Sequence, residues 1–409
     1  MSTRVFLYVQ HLLGIGHLKR AATLADAMTR AGLEVTVASG GAPVPSLHIN
    51  AARVVQLPPA TAADTSFKVL VDAAGRPVDE AWKARRRDGL LQAWREADAH
   101  ALVIELFPFG RRQMRFELVP LLEAAHAPDR QAGKKRPVIA CSVRDVLGGS
   151  GKDPSRQEAQ LEVFNRYFDH LLVHGDPGLI PFERTFEPAA KLGARLHYTG
   201  YVVDAAGTGD AVSAAPTHAG RDEVVVSAGG GAVGARLMET ALRARPLTRL
   251  ASHTWRLLTG VNVATTDFAA LQSLAAQIGD GCVIVERSRA DFTQLLARCA
   301  LSISQGGYNT IMETLQAGAR SVVVPFAAGS ETEQTLRAKL LAQRGVLELV
   351  DEANLTPATL AAAVDRAMGR ARPERSPIDL DGANKSAQLL LGWTREVGSG
   401  GAKRMVTGQ

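Results

Sequence analysis

Ser304-Gln305-Gly306-Gly307-Tyr308-Asn309-Thr310-Ile311-Met312-Glu313, with Gly318, Pro325 and Glu333-Gln334 downstream, is the most informative stretch of the chain. The apolar run Leu301-Ser302-Ile303 before it predicts a short buried strand, the two glycines a tight turn, and the spacing of Ile311, Met312 and Leu315 a helix over 309–317. Helix N-termini leave amide donors unpaired and carry about half a positive charge, so this geometry suits a diphosphate without a metal or a lysine cluster. Glu313, about one turn into the helix, can accept two hydrogen bonds from a ribose diol, the task of an acidic residue in dinucleotide folds. A second apolar strand, Ser321 to Phe326, puts Glu333 and Gln334 at the carboxyl end of the neighbouring strand. Open α/β sheets bind ligands there, and both side chains can hold sugar hydroxyls.

These residues resemble the donor signature of the GT-B glycosyltransferases, the group that holds the UDP-glycosyltransferases and the family 28-like GlcNAc-transferases that make lipid II. That signature runs His, Cys, Gly, Trp, Asn, Ser, two variable residues and Glu, then a Gly, a Pro and an Asp-Gln pair. The matching positions here are Gln305, Gly306, Gly307, Tyr308, Asn309, Thr310, Glu313, Gly318, Pro325, Glu333 and Gln334. Gln305 stands where the family has a phosphate-touching His, and Arg337 where it has an Asn, which hints at a polar or anionic sugar. A second glycine run, Gly229-Gly230-Gly231, follows the apolar strand 223–226; the resemblance puts it beside the donor phosphates, where glycines let the backbone approach a ligand. The resemblance implies a hexosyl-transferring enzyme with no resident cofactor and no metal. Its co-substrate is a UDP-sugar, bound by Gly16, by the 229–231 loop and by the residues from Gln305 to Arg337 just named.

Composition agrees with two or three domains: 409 residues, 46% of them hydrophobic, are enough for two sizeable cores. Cys141, Cys282 and Cys299 are isolated, without metal-ligand spacing, and read as reduced, buried thiols. No apolar run approaches the ~20 residues that cross a bilayer, and the chain enters a strand near Arg4 without a signal-peptide layout, which predicts a cytoplasmic protein. The net charge of +6 is evenly spread, 26 Lys and Arg against 22 Asp and Glu in residues 1–205 and 21 against 19 in the rest, which argues against a nucleic-acid reader. The clusters Arg85-Arg86-Arg87, Arg111-Arg112 and Lys134-Lys135-Arg136 read as solvated surface. They also allow a peripheral contact with an anionic membrane face or an acidic acceptor.

Strand and helix patterns alternate through two α/β halves, which predicts parallel sheets. The expected organisation is the GT-B plan: Rossmann-like acceptor domain 1–205, linker 206–222, Rossmann-like donor domain 223–380, a helix 381–397 returning to the first domain, and a tail 398–409, with the two domains facing across a cleft. The stretches 58–90 and 145–156 read as loops that build the acceptor pocket.

The first-half loop Gly14-Ile15-Gly16-His17 lacks the third glycine of the dinucleotide fingerprint, and no acidic ribose ligand follows it, which disfavours a Rossmann dehydrogenase. It offers an imidazole at a helix start, where the neutral form is favoured. A neutral His can take the proton of an acceptor hydroxyl as that oxygen attacks the anomeric carbon. The family's inverting members carry their base in this loop, which maps it to His17; the other reading is that His17 caps the helix or binds a phosphate. Glu105 ends the apolar strand 101–104 and can orient the other imidazole nitrogen. Glu117 is its rival and reads as a solvated or capping residue, while Arg144 and Asp145 are candidate acceptor ligands. His11, His174 and His197 have no companion at metal-binding spacing. The whole predicts a metal-independent, inverting transfer from a nucleotide-diphosphate sugar to a small-molecule or lipid-linked acceptor, with no nucleic-acid partner. The same architecture also suits a nucleotide-sugar 2-epimerase or hydrolase, or a binding protein without catalysis.

Overall fold

The computed structural model describes residues 2–45, 47–64, 69–127, 135–147, 153–204, 219–228, 234–260, 263–278, 281–289, 291–326, 333–372 and 378–399. The chain forms two compact units, Met1–Val202 with Asp381–Gln409, and Val203–Leu380.

The first unit runs β1 (Arg4–Val9), α1 (Gly16–Arg30), β2 (Glu34–Ser39), β3 (Arg53–Gln56), a short antiparallel pair β4 (Thr61–Ala62) and β5 (Leu70–Val71), and α2 (Glu80–Ala97). It continues with β6 (Ala101–Glu105), α3 (Arg115–His126), β7 (Val138–Arg144), α4 (Pro154–Tyr167), β8 (His170–His174) and β9 (Leu196–Tyr198). Its seven-stranded sheet has the order β3-β2-β1-β6-β7-β8-β9, every pair parallel. Strand side chains alternate between faces, so Val5, Leu7 and Val9 join the core under α1, while Phe6 and Tyr8 join the core under α2, α3 and α4. Helices on both faces bury Val5 to Val9 of β1, which is why this strand reads as one apolar run. Gly32, at φ +85°, ends α1: its N–H bonds Thr29 O and that of Leu33 bonds Met28 O, both at 3.0 Å.

The second unit carries β10 (Val224–Ser227), α5 (Ala235–Ala244), β11 (Trp255–Thr259), α6 (Thr265–Ile278), β12 (Val283–Arg287), α7 (Phe292–Arg298), β13 (Leu301–Ser304), α8 (Tyr308–Gln316), β14 (Ser321–Val323), α9 (Glu333–Gln343), β15 (Glu348–Leu349) and α10 (Pro357–Met368). Its parallel sheet has the order β12-β11-β10-β13-β14-β15. Both sheets are thus doubly wound, the arrangement predicted from the alternating pattern. The last helix, α11 (Gly382–Ser399), belongs to the first unit and covers α1 there. A methyl group at Gly382 would collide with Gly200 O, and the Trp393 indole stacks on His170 with centroids 3.7 Å apart.

Three expectations are corrected. The 58–90 and 145–156 stretches are partly helical: Asp79 caps α2 by accepting from Trp82 N, and Asp153 caps α4 by accepting from Ser155 N and Arg156 N. Arg86 is no solvated member of a basic cluster; it is fully buried, as is Glu117, and the two are paired at 2.7 Å. Of the expected linker, residues 206–218 lie outside the described residues, as do Lys134 and residues 400–409 of the expected tail.

Candidate active site

In each unit the strand order reverses beside the first strand, at β1/β6 and at β10/β13, and ligands of open α/β sheets bind at such points. Several of the sequence-predicted residues fall on these two places. Gly16 and His17 open α1 just after β1, and Glu105 is the last residue of β6 beside it. Gln305 to Thr310 follow β13. Gly229, Gly230 and Gly231 follow β10 after Ala228 and lie outside the described residues.

In the first unit the structure brings His17 and Glu105 together, with Nδ1 2.7 Å from Oε1. Glu105 is only 1% exposed and the His17 side chain 17%. A carboxylate oxygen that close to a ring nitrogen needs a proton between them, so Nδ1 donates and Nε2 keeps its lone pair. Burial lowers the His17 pKa to about 4; Glu105 opposes this shift, and the guanidinium groups of Arg111 and Arg20 add to it. Burial works to raise the Glu105 pKa, but His17, Arg20 and Arg111 outweigh it and hold the carboxyl below the usual range. His17 is therefore neutral and Glu105 ionised at pH 7.

Arg20 was not singled out from the sequence, and Arg111 was named there only as part of a basic surface cluster. The signal for Arg20 was its spacing, three residues after His17 and hence on the same helix face. Arg111 adopts a left-handed backbone, φ +57°, and its Nε donates to Gln10 O at 2.8 Å, directly after β1. Arg144 ends β7, one strand beyond Glu105. Asp145 is fully buried and its Oδ2 accepts from the Tyr201 hydroxyl at 2.6 Å, so it ties this loop to the segment that meets the start of α11, where Gly382 N donates to Tyr201 O at 3.0 Å. His174 is likewise buried, between Ser142 Oγ at 2.8 Å and Thr199 Oγ1 at 2.9 Å.

In the second unit Gly307 precedes α8 as its N-cap and, being a glycine, has no side chain with which to cap that helix start. Gly306 has φ +77°, and a Cβ there would sit 2.7 Å from Val323 Cγ1. Gly306→Ala is thus expected to destabilise this unit by about 1–3 kcal/mol, since a left-handed alanine is strained and must also displace Val323. Thermal unfolding measures it, and an unchanged melting temperature would refute the turn geometry. A Cβ at Gly234, φ +127°, would collide with Ala228 Cβ and lie 3.4 Å from Gln305 Oε1, so the backbone leading into α5 passes close to Gln305. Asn309 and Thr310 are half-buried in the first turn, and Glu313 is buried further along α8. Arg337 is fully buried; its Nη2 donates to Glu333 Oε1 at 3.1 Å, and its guanidinium lies 5.0 Å from the Tyr308 ring centroid. It therefore couples Glu333 to the start of α8. The neighbouring Gln334 has its Oε1 buried without a hydrogen-bond partner among the described residues. No three His, Cys, Asp or Glu side chains among the described residues are grouped to hold a metal ion.

Two doubly wound units, each with a glycine loop at its switch point, define the GT-B class. A model of the glycosyltransferase family 28 C-terminal domain matches residues 225–385. The UDP-N-acetylglucosamine--N-acetylmuramyl-(pentapeptide) pyrophosphoryl-undecaprenol N-acetylglucosamine transferase of Solidesulfovibrio magneticus is 30% identical over 240 residues, 57% of this chain and 61% of that protein. The chain thus matches less than two thirds of that relative's length. Among solved structures, MurG of Acinetobacter baumannii has a TM-score of 0.55 at 15% identity, over 95% of this chain and 99% of that one. A UDP-glucosyltransferase of Polygonum tinctorium, capable of glucosylating indoxyl, has a TM-score of 0.57 at 14% identity, over 99% of this chain and 96% of that one. The fold is GT-B, and residues 225–385 are similar to the C-terminal domain of family 28 glycosyltransferases.

Proposed function

We propose that this protein transfers a sugar from a UDP-sugar to a hydroxyl of a small-molecule or lipid-linked acceptor, with inversion and without a metal. The observation that carries the reading is the imidazole of His17, held by Glu105 through Nδ1 with Nε2 left as a base. Nε2 takes the acceptor proton while the acceptor oxygen attacks the anomeric carbon and the bond to the nucleotide diphosphate breaks. Glu105, the carboxylate beside His17, is taken up by hydrogen bonds from His17 and Arg20, which fits direct displacement with one base. The departing diphosphate gains charge, and the start of α8, with a glycine as its N-cap, offers its dipole and amides to that charge. Glu313 takes the ribose diol, and Glu333 and Gln334 the sugar hydroxyls. The likeness to the Solidesulfovibrio transferase supports a UDP-sugar donor, and the charge of that relative's acceptor fits the arginines near His17. Among the described residues no helix is long and apolar enough to cross a membrane, so a lipid-linked acceptor would be met by peripheral contact.

The donor assignment is tested by binding alone. UDP, without magnesium, is expected to raise the melting temperature of the wild type more than GDP, dTDP, ADP or NAD does. In Glu313→Ala the UDP effect should fall at least tenfold in affinity by calorimetry. Equal UDP affinity in the variant would remove Glu313 from the site, and no response to any nucleoside diphosphate would sink the donor reading.

A further inference from the structure

A third side chain joins His17 and Glu105. Arg20 stands one turn after His17 on α1, 3% exposed. Its Nη2 donates to Glu105 Oε1, the same oxygen that accepts from His17 Nδ1, and lies 3.3 Å from Nδ1. One carboxylate oxygen therefore serves both donors. A proton on Nδ1 is pointed at Oε1, so Arg20 cannot donate to Nδ1, and the two positive ends are kept apart only while the imidazole stays neutral. A His–carboxylate pair alone favours the imidazolium, because the carboxylate stabilises it. Here a guanidinium already shares that carboxylate.

We propose that Arg20 is a positioning residue for the transfer: it neutralises Glu105 on the side facing His17, fixes the Nδ1–H tautomer and opposes protonation of the imidazole, so that Nε2 stays available as a base well below pH 7. The inference rests on His17 as the base, but the geometry it describes can be tested apart from any reaction. The charged and titratable groups around the imidazole are Glu105 from β6, Arg20 from α1 and Arg111 from the segment after β6. Arg144 at the end of β7, His174 of β8 and His11 after β1 surround this group at the same sheet edge. The lowered His17 pKa agrees in direction, burial being its largest cause and Arg111 and Arg20 contributing. The sign is set by charge. Removing a cation beside an imidazole stabilises the protonated form, so the titration midpoint rises, and the acid limb of a rate that needs neutral His17 moves to higher pH.

The test is NMR of protein labelled with 15N-histidine, with the His17 signal assigned by its loss in His17→Ala. In the wild type His17 should show a protonated Nδ1 and an unprotonated Nε2, with no titration above pH 5. In Arg20→Met its midpoint should rise by one unit or more, a tenfold gain in proton affinity. Arg20→Lys, which keeps a cation on Oε1, should stay within about half a unit of the wild type. A wild-type His17 that titrates near pH 6.5, or that carries its proton on Nε2, overturns the proposal even if Arg20→Met fails to fold. So does an Arg20→Met midpoint within 0.3 unit of the wild type. Once an acceptor is in hand, kcat/KM for Arg20→Met should fall with acidification at higher pH than for the wild type. If His17→Ala instead leaves the transfer rate intact while these shifts appear, the base assignment fails and the Arg20 geometry stands.

Discussion

His17→Ala is expected to lower the rate of sugar transfer by about 10²–10⁴ while leaving the affinity for UDP unchanged. The size follows from chemistry. An acceptor hydroxyl is a poor nucleophile until its proton leaves, and a base within hydrogen-bond reach contributes roughly that factor. The selectivity follows from the fold: His17 belongs to the first unit, whereas Gln305 to Thr310 and Glu313 belong to the second. Steady-state kinetics with a donor and a panel of hydroxyl acceptors reads the first arm, and calorimetry with UDP the second. A His17→Ala protein that transfers at more than a tenth of the wild-type rate would refute the base assignment. One that loses UDP affinity in parallel would return His17 to the phosphate-binding reading that the sequence left open. Since the His17 pKa is lowered to about 4 by burial, the wild-type rate should not fall through protonation of His17 between pH 8 and pH 5.

Periodicity and glycine placement made the two sheets legible, because strands buried on both faces are continuous apolar runs and glycines mark the turns at their carboxyl ends. Glu105 was legible for the same reason: a carboxylate ending an apolar strand sits at the sheet edge. Arg20, Arg111 and Arg86 were not. Arginine is a surface residue by composition, and only the fold shows that a partner carboxylate waits in the interior. Helix α2 was missed on the same account, since Arg86 occupies a core position between Trp82, Leu90 and Trp94 and breaks the apolar spacing. Arg337 shows the converse. Its place three residues after Gln334 suggested a sugar contact, and only the fold shows that α9 puts it one turn after Glu333, with which it pairs.

Glu117→Leu is expected to cost the first unit about 3–5 kcal/mol, and Arg86→Met less. Arg86 is fully buried and its guanidinium is completely engaged: Nε and Nη2 donate to Glu117 at 2.7 and 2.9 Å, Nη2 also to Gln10 Oε1 at 2.5 Å, and Nη1 to Gly40 O and Pro58 O at 2.8 and 2.6 Å. The Tyr8 hydroxyl adds a hydrogen bond to Glu117 Oε1 at 2.5 Å. Removing Glu117 leaves a guanidinium that cannot give up its proton inside an apolar core. Removing Arg86 leaves a carboxyl that can take one and become neutral, which limits the loss. At roughly 2–4 °C per kcal/mol for a unit of this size, Glu117→Leu should lower its melting temperature by about 6–20 °C. The double variant should lose less than the two single losses added, since neither stranded charge remains. Gln10 links this brace to the site: it accepts from Arg86 through its side chain and from Arg111 through its carbonyl, just before the loop that carries His17. Weakening the brace should therefore disturb the His17 NMR signal, while UDP affinity stays as it is in the wild type. Equal losses for Glu117→Leu and Arg86→Met would show that packing rather than a stranded charge sets the cost, and losses below 1 kcal/mol would show that the pair is not buried.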